Sequence, residues 1–187
     1  MQEKKTCSCL TRRQFLLGTG GATATIILTG FLGYSEGKTV ALQTSRYPRK
    51  KIAKLSDLKQ DFPVLFRYPH DHYNCTDILI KLGLPAEDGV GPARDVVAFN
   101  TLCTHMGGPL MGAYQNNHKV LGPCPFHLSM FDLTKRGIIT TGSATQSLPQ
   151  IMLEVKGDEI HAVGVMGLIF GFSDNMEIAG RQGGGGR

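Results

Sequence analysis

The chain has 187 residues, enough for one domain with its own apolar core and a terminal extension. Apolar residues make up 41% and charged residues 19%, which excludes a largely disordered chain and a protein with many membrane spans. The net charge of +5 is uneven: residues 1–34 carry +3 and residues 46–54 carry +5, which leaves −3 on residues 55–187. A nucleic-acid-binding domain is excluded, because such a domain needs basic residues spread over its own surface.

The N-terminal segment combines a basic start with an uncharged stretch from Phe15 to Tyr34. That stretch is long enough to cross a bilayer, although five glycines and four threonines make it only mildly apolar. The preceding run Thr11-Arg12-Arg13-Gln14-Phe15-Leu16 resembles the twin-arginine export signal, an address read by a receptor. We therefore expect residues 1–37 to be a twin-arginine leader or an uncleaved membrane anchor, and the protein to be periplasmic. An ordinary signal or membrane helix with two chance arginines is the alternative.

Residues 38–54 are expected to form a basic linker, and residues 55–175 a single domain made of short strands. The predicted strands are apolar runs bounded by turn residues, at 62–66, 76–82, 95–99, 119–121, 137–140, 151–155 and 159–163. The turn Lys156-Gly157-Asp158-Glu159 joins the last two as a hairpin. Helix is expected only at 57–60 and in parts of 84–94. Short strands with frequent turns favour an all-β, antiparallel sandwich or barrel, and residues 176–187 form a flexible glycine-rich tail.

Two Cys–His pairs are the strongest chemical signal in the chain. Cys103-Thr104-His105 is followed, after 18 residues, by Cys124-Pro125-Phe126-His127. Two thiolates and two imidazoles could hold a zinc ion. However, Met106-Gly107-Gly108-Pro109 and Gly122-Pro123 are loops in which glycine permits close backbone approach. Such loops can aim N–H groups at an inorganic sulfide, which a zinc ion lacks.

The pattern C-x-H…C-P-x-H resembles that of the Rieske iron–sulfur proteins, which bind one [2Fe–2S] cluster. The resemblance implies a Rieske-type antiparallel β fold whose cluster-binding part, residues 100–147, is built from loops. It also implies that Cys103 and Cys124 bind the inner iron and that His105 and His127 bind the outer, exposed iron. Neutral imidazoles in place of two thiolates make the cluster easier to reduce, with potentials of about −150 to +300 mV in this class. A zinc-stabilised binding module is the alternative from another class.

Further residues would tune the cluster if the resemblance holds. Many respiratory members clamp their two loops with a disulfide, and the matching positions here are Gly108 and Phe126, so we expect no clamp. Ser129 matches the family serine whose hydroxyl bonds a bridging sulfide. Phe131 stands where high-potential members have tyrosine, whose hydroxyl bonds a cysteine sulfur. Losing that bond destabilises the reduced cluster, so we predict an intermediate potential.

Such a cluster moves single electrons, so the chain is expected to have no substrate site of its own. The chain resembles the small subunit of arsenite oxidase most, through its leader, the missing disulfide and the segment 141–150, which resembles the loop over the cluster in that family. This implies a molybdopterin-containing large subunit that oxidises arsenite, and a cytochrome c or azurin as electron acceptor. The Rieske subunit of a cytochrome bc-type quinol-oxidising complex is the alternative. Because 60 residues follow His127, we expect no mononuclear-iron domain of the kind found in ring-hydroxylating oxygenases.

Overall fold

Ten antiparallel strands form the framework of the computed structural model, which describes residues 47–176. Their bounds are β1 Lys50–Lys54, β2 Val64–Arg67, β3 Thr76–Lys81, β4 Val96–Asn100, β5 Tyr114–Gln115, β6 Val120–Leu121, β7 Met130–Asp132, β8 Ile138–Thr141, β9 Gln150–Lys156 and β10 Glu159–Met166. Two single-turn 3₁₀ helices, Leu55–Asp57 and Tyr73–Cys75, are the only helices among these residues. Neither is long or apolar enough to span a membrane. The all-β expectation is confirmed.

The strands form two sheets. The larger has the order β1-β10-β9-β4-β3-β2, and the smaller has the order β5-β6-β7-β8. Strands β9 and β10 pair from Lys156↔Glu159 to Gln150↔Met166, so the predicted hairpin is present. Its turn includes Gly157 at φ +62°, a conformation that glycine adopts without strain.

Two apolar cores lie on opposite faces of β3 and β4, because successive side chains of a strand point to opposite sides. Ile78, Ile80 and Phe99 belong to the first core, which also contains Leu121 and Phe131 of the smaller sheet. The alternate residues of the same strands, Leu79 and Ala98, belong to the second core. This core also contains side chains from the rest of the larger sheet and from the C-terminal segment, including Ile151, Ile160 and Ile169. The first core therefore joins the two sheets, and both cluster-motif cysteines lie in it.

The prediction of a basic linker over residues 38–54 must be corrected, because its last five residues form a strand. Lys50–Lys54 pairs with β10 at the edge of the larger sheet, with Lys51 opposite His161. Its lysines are exposed, and charged side chains are common on edge strands, where they discourage pairing with other chains. The strand was not predicted because its run of basic residues has the composition of an exposed linker.

The expected helices are wrong. Only Asp57 of the 57–60 segment is helical, and residues 84–94 form turns. Strands β5 and β7 were not predicted, since they have only two and three residues. The expectations for residues 1–37 and for most of the glycine-rich tail fall outside the described residues.

Candidate metal centre

The first motif lies in a loop that follows β4, one of the two strands that contribute side chains to both cores. Two backbone hydrogen bonds close this loop: Gly107 N–H donates to the Cys103 carbonyl at 2.8 Å, and Cys103 N–H donates to the Gly108 carbonyl at 2.9 Å. Gly107 has φ +67°, which turns the chain back after His105. The loop thus returns to its start at Cys103.

The second motif lies between β6 and β7 and repeats this pattern. Leu128 N–H donates to the Cys124 carbonyl at 3.0 Å, and Cys124 N–H donates to the Ser129 carbonyl at 2.9 Å. Leu128 takes the left-handed place that Gly107 has in the first loop, with φ +59°. The two loops therefore present their cysteines from similar backbone turns, one from each sheet.

The four candidate donors separate into a buried sulfur pair and an outer nitrogen pair. Cys103 is 1% exposed and Cys124 2% exposed. The Nδ1 atoms of His105 and His127 lie 3.0 Å apart, while the imidazole of His127 is exposed. Two imidazole nitrogens bound to one metal ion at about 2.0–2.1 Å each would be roughly 3 Å apart, so this pair fits a shared metal.

A single metal ion is a poorer fit to these donors. Over residues 47–176, no three His, Cys, Asp or Glu side chains converge tightly enough to hold one ion. Two pairs, sulfur inside and nitrogen outside, match the donors of a mixed-ligand two-iron cluster instead.

Burial raises the pKa of the Cys103 thiol, and the neighbouring Cys124 raises it further. The backbone N–H of His105 and the hydroxyl of Ser129 act in the opposite direction, because hydrogen bonds to the sulfur favour the thiolate. Ser129 is fully buried, and its oxygen accepts the Ala144 N–H at 3.0 Å, so its hydroxyl proton remains free to donate to sulfur. A cation between the two thiols would favour both thiolates.

The segment 141–150 lies against both loops, as its predicted role requires. Besides the Ala144–Ser129 bond, Thr104 Oγ1 donates to the Gln146 carbonyl at 2.7 Å. Gly142 has φ +95°, and a Cβ there would overlap the backbone of Ser129. This third loop therefore fixes the spacing of the other two.

The clamp positions are in contact, but they are not covalently joined. A Cβ on Gly108 would lie 3.0 Å from Cδ2 of the Phe126 ring and 2.5 Å from Cys124 Sγ. The cysteines within the described range, Cys75, Cys103 and Cys124, are all free. Phe131 is fully buried in the core that contains both motif cysteines.

Sequence reasoning missed Phe170, whose ring lies on Gly107. A Cβ on that glycine would be 2.5 Å from both Cδ1 and Cε1 of Phe170. The two residues are far apart in the chain, and no spacing pattern connects them.

Comparisons with known proteins agree with this geometry. The family model for the Rieske [2Fe-2S] domain matches residues 50–152. The chain is 54% identical to the iodate reductase subunit IdrB of Denitromonas iodatirespirans, over 93% of this chain and 90% of that protein. It is 45% identical to the IdrB subunit of Pseudomonas sp. (strain SCT), over 91% of this chain and 87% of that protein.

A solved structure shows the same fold. The soluble domain of Rieske protein II (soxF) from Sulfolobus acidocaldarius superposes with a TM-score of 0.56 at 23% identity, covering 64% of this chain and 78% of that one. Family match, relatives and fold together show that this chain belongs to the Rieske family and carries one [2Fe–2S] cluster.

Proposed function

We propose that this chain is an electron-transfer subunit in which Cys103 and Cys124 hold the inner iron and His105 and His127 the outer iron. The observation that carries the assignment is the pairing of two buried thiols with two imidazoles whose Nδ1 atoms face each other at 3.0 Å. When bound, the cluster accepts and releases one electron. The chain's own residues keep the sulfur side dry and leave the imidazole of His127 open to a partner.

The ligand assignment is tested by spectroscopy on single variants. Cys103→Ser and His127→Ala should lose the visible absorption of the cluster and the low-g paramagnetic spectrum seen after dithionite reduction. Cys75→Ser is the matched control, because Cys75 is fully buried in the second core, whereas both motif cysteines lie in the first. Full spectra in Cys103→Ser, or their loss in Cys75→Ser alone, would contradict the assignment.

The partner that we propose is a molybdopterin-containing large subunit that performs the substrate chemistry. Support comes from two relatives that are named as subunits of iodate reductase and align with almost the whole chain. We infer that the complex reduces an oxyanion of the iodate type. In that case electrons enter this chain from a cytochrome c-type donor and leave it toward the large subunit.

Arsenite oxidation is the second candidate, favoured by the resemblance of the third loop. It requires the opposite direction: electrons enter from the large subunit and leave to a cytochrome c or azurin. The native complex, purified through an affinity tag on this chain, distinguishes the two. Iodate should reoxidise the dithionite-reduced cluster within the complex, whereas arsenite should reduce the oxidised one. Co-purification of a b-type cytochrome in place of a molybdenum protein would overturn both.

The quinol-oxidising alternative has narrower support. The Rieske subunit of the cytochrome bc1 complex of Streptomyces lividans matches at 36% identity over only 63 residues, 34% of this chain and 36% of that protein. The iodate reductase relatives extend over nearly three times that length.

We also propose that the protein works in the periplasm after twin-arginine export. The pair Arg12-Arg13 followed by a mildly apolar stretch supports this. Arg12→Lys with Arg13→Lys should abolish export, and the cluster-loaded protein should then accumulate in the cytoplasm. Unchanged export of the double variant would refute this route. Mass spectrometry of the exported protein would show whether the leader is removed.

A further inference from the structure

The first cluster loop contacts two aromatic rings that come from different parts of the chain. A Cβ at Gly107 would lie 2.5 Å from the ring of Phe170. A Cβ at Gly108 would lie 3.0 Å from the ring of Phe126. The rings therefore touch bare backbone, and no larger residue fits at either glycine without displacing a ring or, at Gly108, the Cys124 sulfur.

Phe170 is anchored by the segment that carries it, residues 167–175. Asn175 is 5% exposed and closes this segment: its Oδ1 accepts the Ile169 N–H at 2.9 Å, and its Nδ2 donates to the Gly167 carbonyl at 2.8 Å. Ile169 is fully buried in the second core. These hydrogen bonds and the burial of Ile169 thus fix the backbone on the N-terminal side of Phe170.

The same segment is also fastened to the short helix Tyr73–Cys75 and the turn before it. Asn74 Nδ2 donates to the Phe170 carbonyl at 3.0 Å, and His70 Nε2 lies 3.1 Å from the Asn175 carbonyl. Phe172 packs edge-to-face on His72, with ring centroids 5.4 Å apart. Phe170 is nevertheless 38% exposed, so its contact with Gly107 leaves much of the residue open to solvent.

We propose that Phe170 is a positioning residue for the iron–sulfur cluster: its ring and that of Phe126 pack on the Gly107–Gly108 backbone and hold it in place, where no covalent link joins the loops. The inference rests on the assignment of Cys103 and His105 as ligands, since both lie in the held loop. Removal of the Phe170 ring frees Gly107 on one side and lets water reach that flank of the loop. Loop position and water access both affect how firmly a metal centre is held and its spectrum.

The test uses the full chain with its cluster and compares Phe170→Ala, Phe170→Leu and Leu168→Ala. Leu168 is the matched control, because it is an exposed apolar residue of the same segment. We measure the rate at which a chelator bleaches the visible absorption, and the line shape of the reduced paramagnetic spectrum. Phe170→Ala should lose its cluster about tenfold faster than the unmodified chain and give a broadened spectrum. Phe170→Leu should restore most of both properties, and Leu168→Ala should change neither.

Equal bleaching rates and unchanged line shapes for Phe170→Ala and the unmodified chain would overturn the proposal. So would equal acceleration in Leu168→Ala, because the effect would then belong to the whole segment. Far-UV circular dichroism and the melting temperature of the apo chains show that each variant is folded. Failure of the ligand assignment is distinct: there, Cys103→Ser keeps the cluster whatever Phe170 does.

Discussion

Gly107 and Leu128 occupy the same place in two loops that share one hydrogen-bonding pattern. Each donates its N–H to the carbonyl of the motif cysteine four residues earlier, and each has a left-handed backbone, at φ +67° and +59°. In the first loop a glycine meets this demand without strain. In the second loop a leucine does so while 64% exposed, so little burial offsets the strain.

Leu128→Gly should therefore leave stability unchanged or raise it slightly. Relief of the left-handed strain gains about 1–2 kcal/mol, and the greater freedom of glycine in the unfolded chain costs about 0.5–1 kcal/mol. Urea unfolding of the apo protein measures the difference. The matched change Gly107→Leu should destabilise strongly, because its side chain meets the Phe170 ring. A loss above about 1 kcal/mol in Leu128→Gly would show that the leucine side chain stabilises the loop.

Ser129→Ala should lower the midpoint potential of the cluster. The Ser129 hydroxyl favours negative charge on the Cys103 sulfur, so its loss disfavours the reduced state. We expect a fall of roughly 60 mV, since about 59 mV corresponds to about 1.4 kcal/mol for one electron. Redox titration followed by visible circular dichroism measures it. Ser143→Ala, at an exposed serine of the third loop, is the control, and an equal shift there would rule out a specific bond.

Phe131→Tyr should raise the potential. The ring is fully buried in the core that contains both cysteines, and a hydroxyl there can donate to a sulfur and stabilise the reduced cluster. Phe131→Leu adds no donor and should not raise the potential. An unchanged value in Phe131→Tyr would mean that the new hydroxyl does not reach sulfur.

Gly142→Ala should destabilise the site far more than Gly157→Ala. Both glycines have positive φ, at +95° and +62°, so both variants carry backbone strain of about 1–2 kcal/mol. Only at Gly142 would the new Cβ overlap another segment, the backbone of Ser129, whereas nothing lies within 4 Å at Gly157. Melting temperatures and cluster content should both fall in Gly142→Ala. Equal losses of melting temperature and cluster content in the two variants would mean that backbone strain alone, and not contact with Ser129, causes the destabilisation.

Asp77→Asn should make the protein more stable at neutral pH and less sensitive to pH. Burial raises the pKa of Asp77 well above its usual range, although the Asn100 amide partly opposes this with a hydrogen bond. The folded state keeps a proton that the unfolded chain releases, so stability falls as pH rises above the unfolded value of about 3.9 toward the folded one. Urea unfolding of both apo proteins at pH 5 and pH 8 should show that the free energy of unfolding decreases less between these pH values in the variant than in the unmodified chain.

A carboxylate with the opposite shift provides the control. Hydrogen bonds from Ser56 lower the pKa of the exposed Asp158. Asp158→Asn should therefore lose stability at neutral pH, where the unmodified chain has this carboxylate ionised. If both variants changed the free energy of unfolding in the same direction, the opposite pKa shifts of Asp77 and Asp158 would not explain those changes.

The sequence was most informative where local pattern and chemistry coincide. The hairpin β9–β10 has an apolar run on each side of a turn containing Gly157, and the motif residues carry their own spacing. Strand β1 was missed because an exposed edge strand of lysines has the same composition as a solvated linker. Phe170 was missed because its contact with Gly107 depends on how the C-terminal segment folds back, which no local pattern encodes.

The two cysteine loops start from different sheets, one after β4 and the other after β6. Metal insertion would therefore add a cross-link between two halves of the domain that already meet through side-chain packing and through hydrogen bonds, such as the one from Glu87 N–H to the Thr134 carbonyl at 2.9 Å. Cluster insertion would then be a late step of maturation, and the two halves of the loaded protein would unfold together in one cooperative transition. If the chain is exported by the twin-arginine route proposed above, this order of events would place cluster insertion before export.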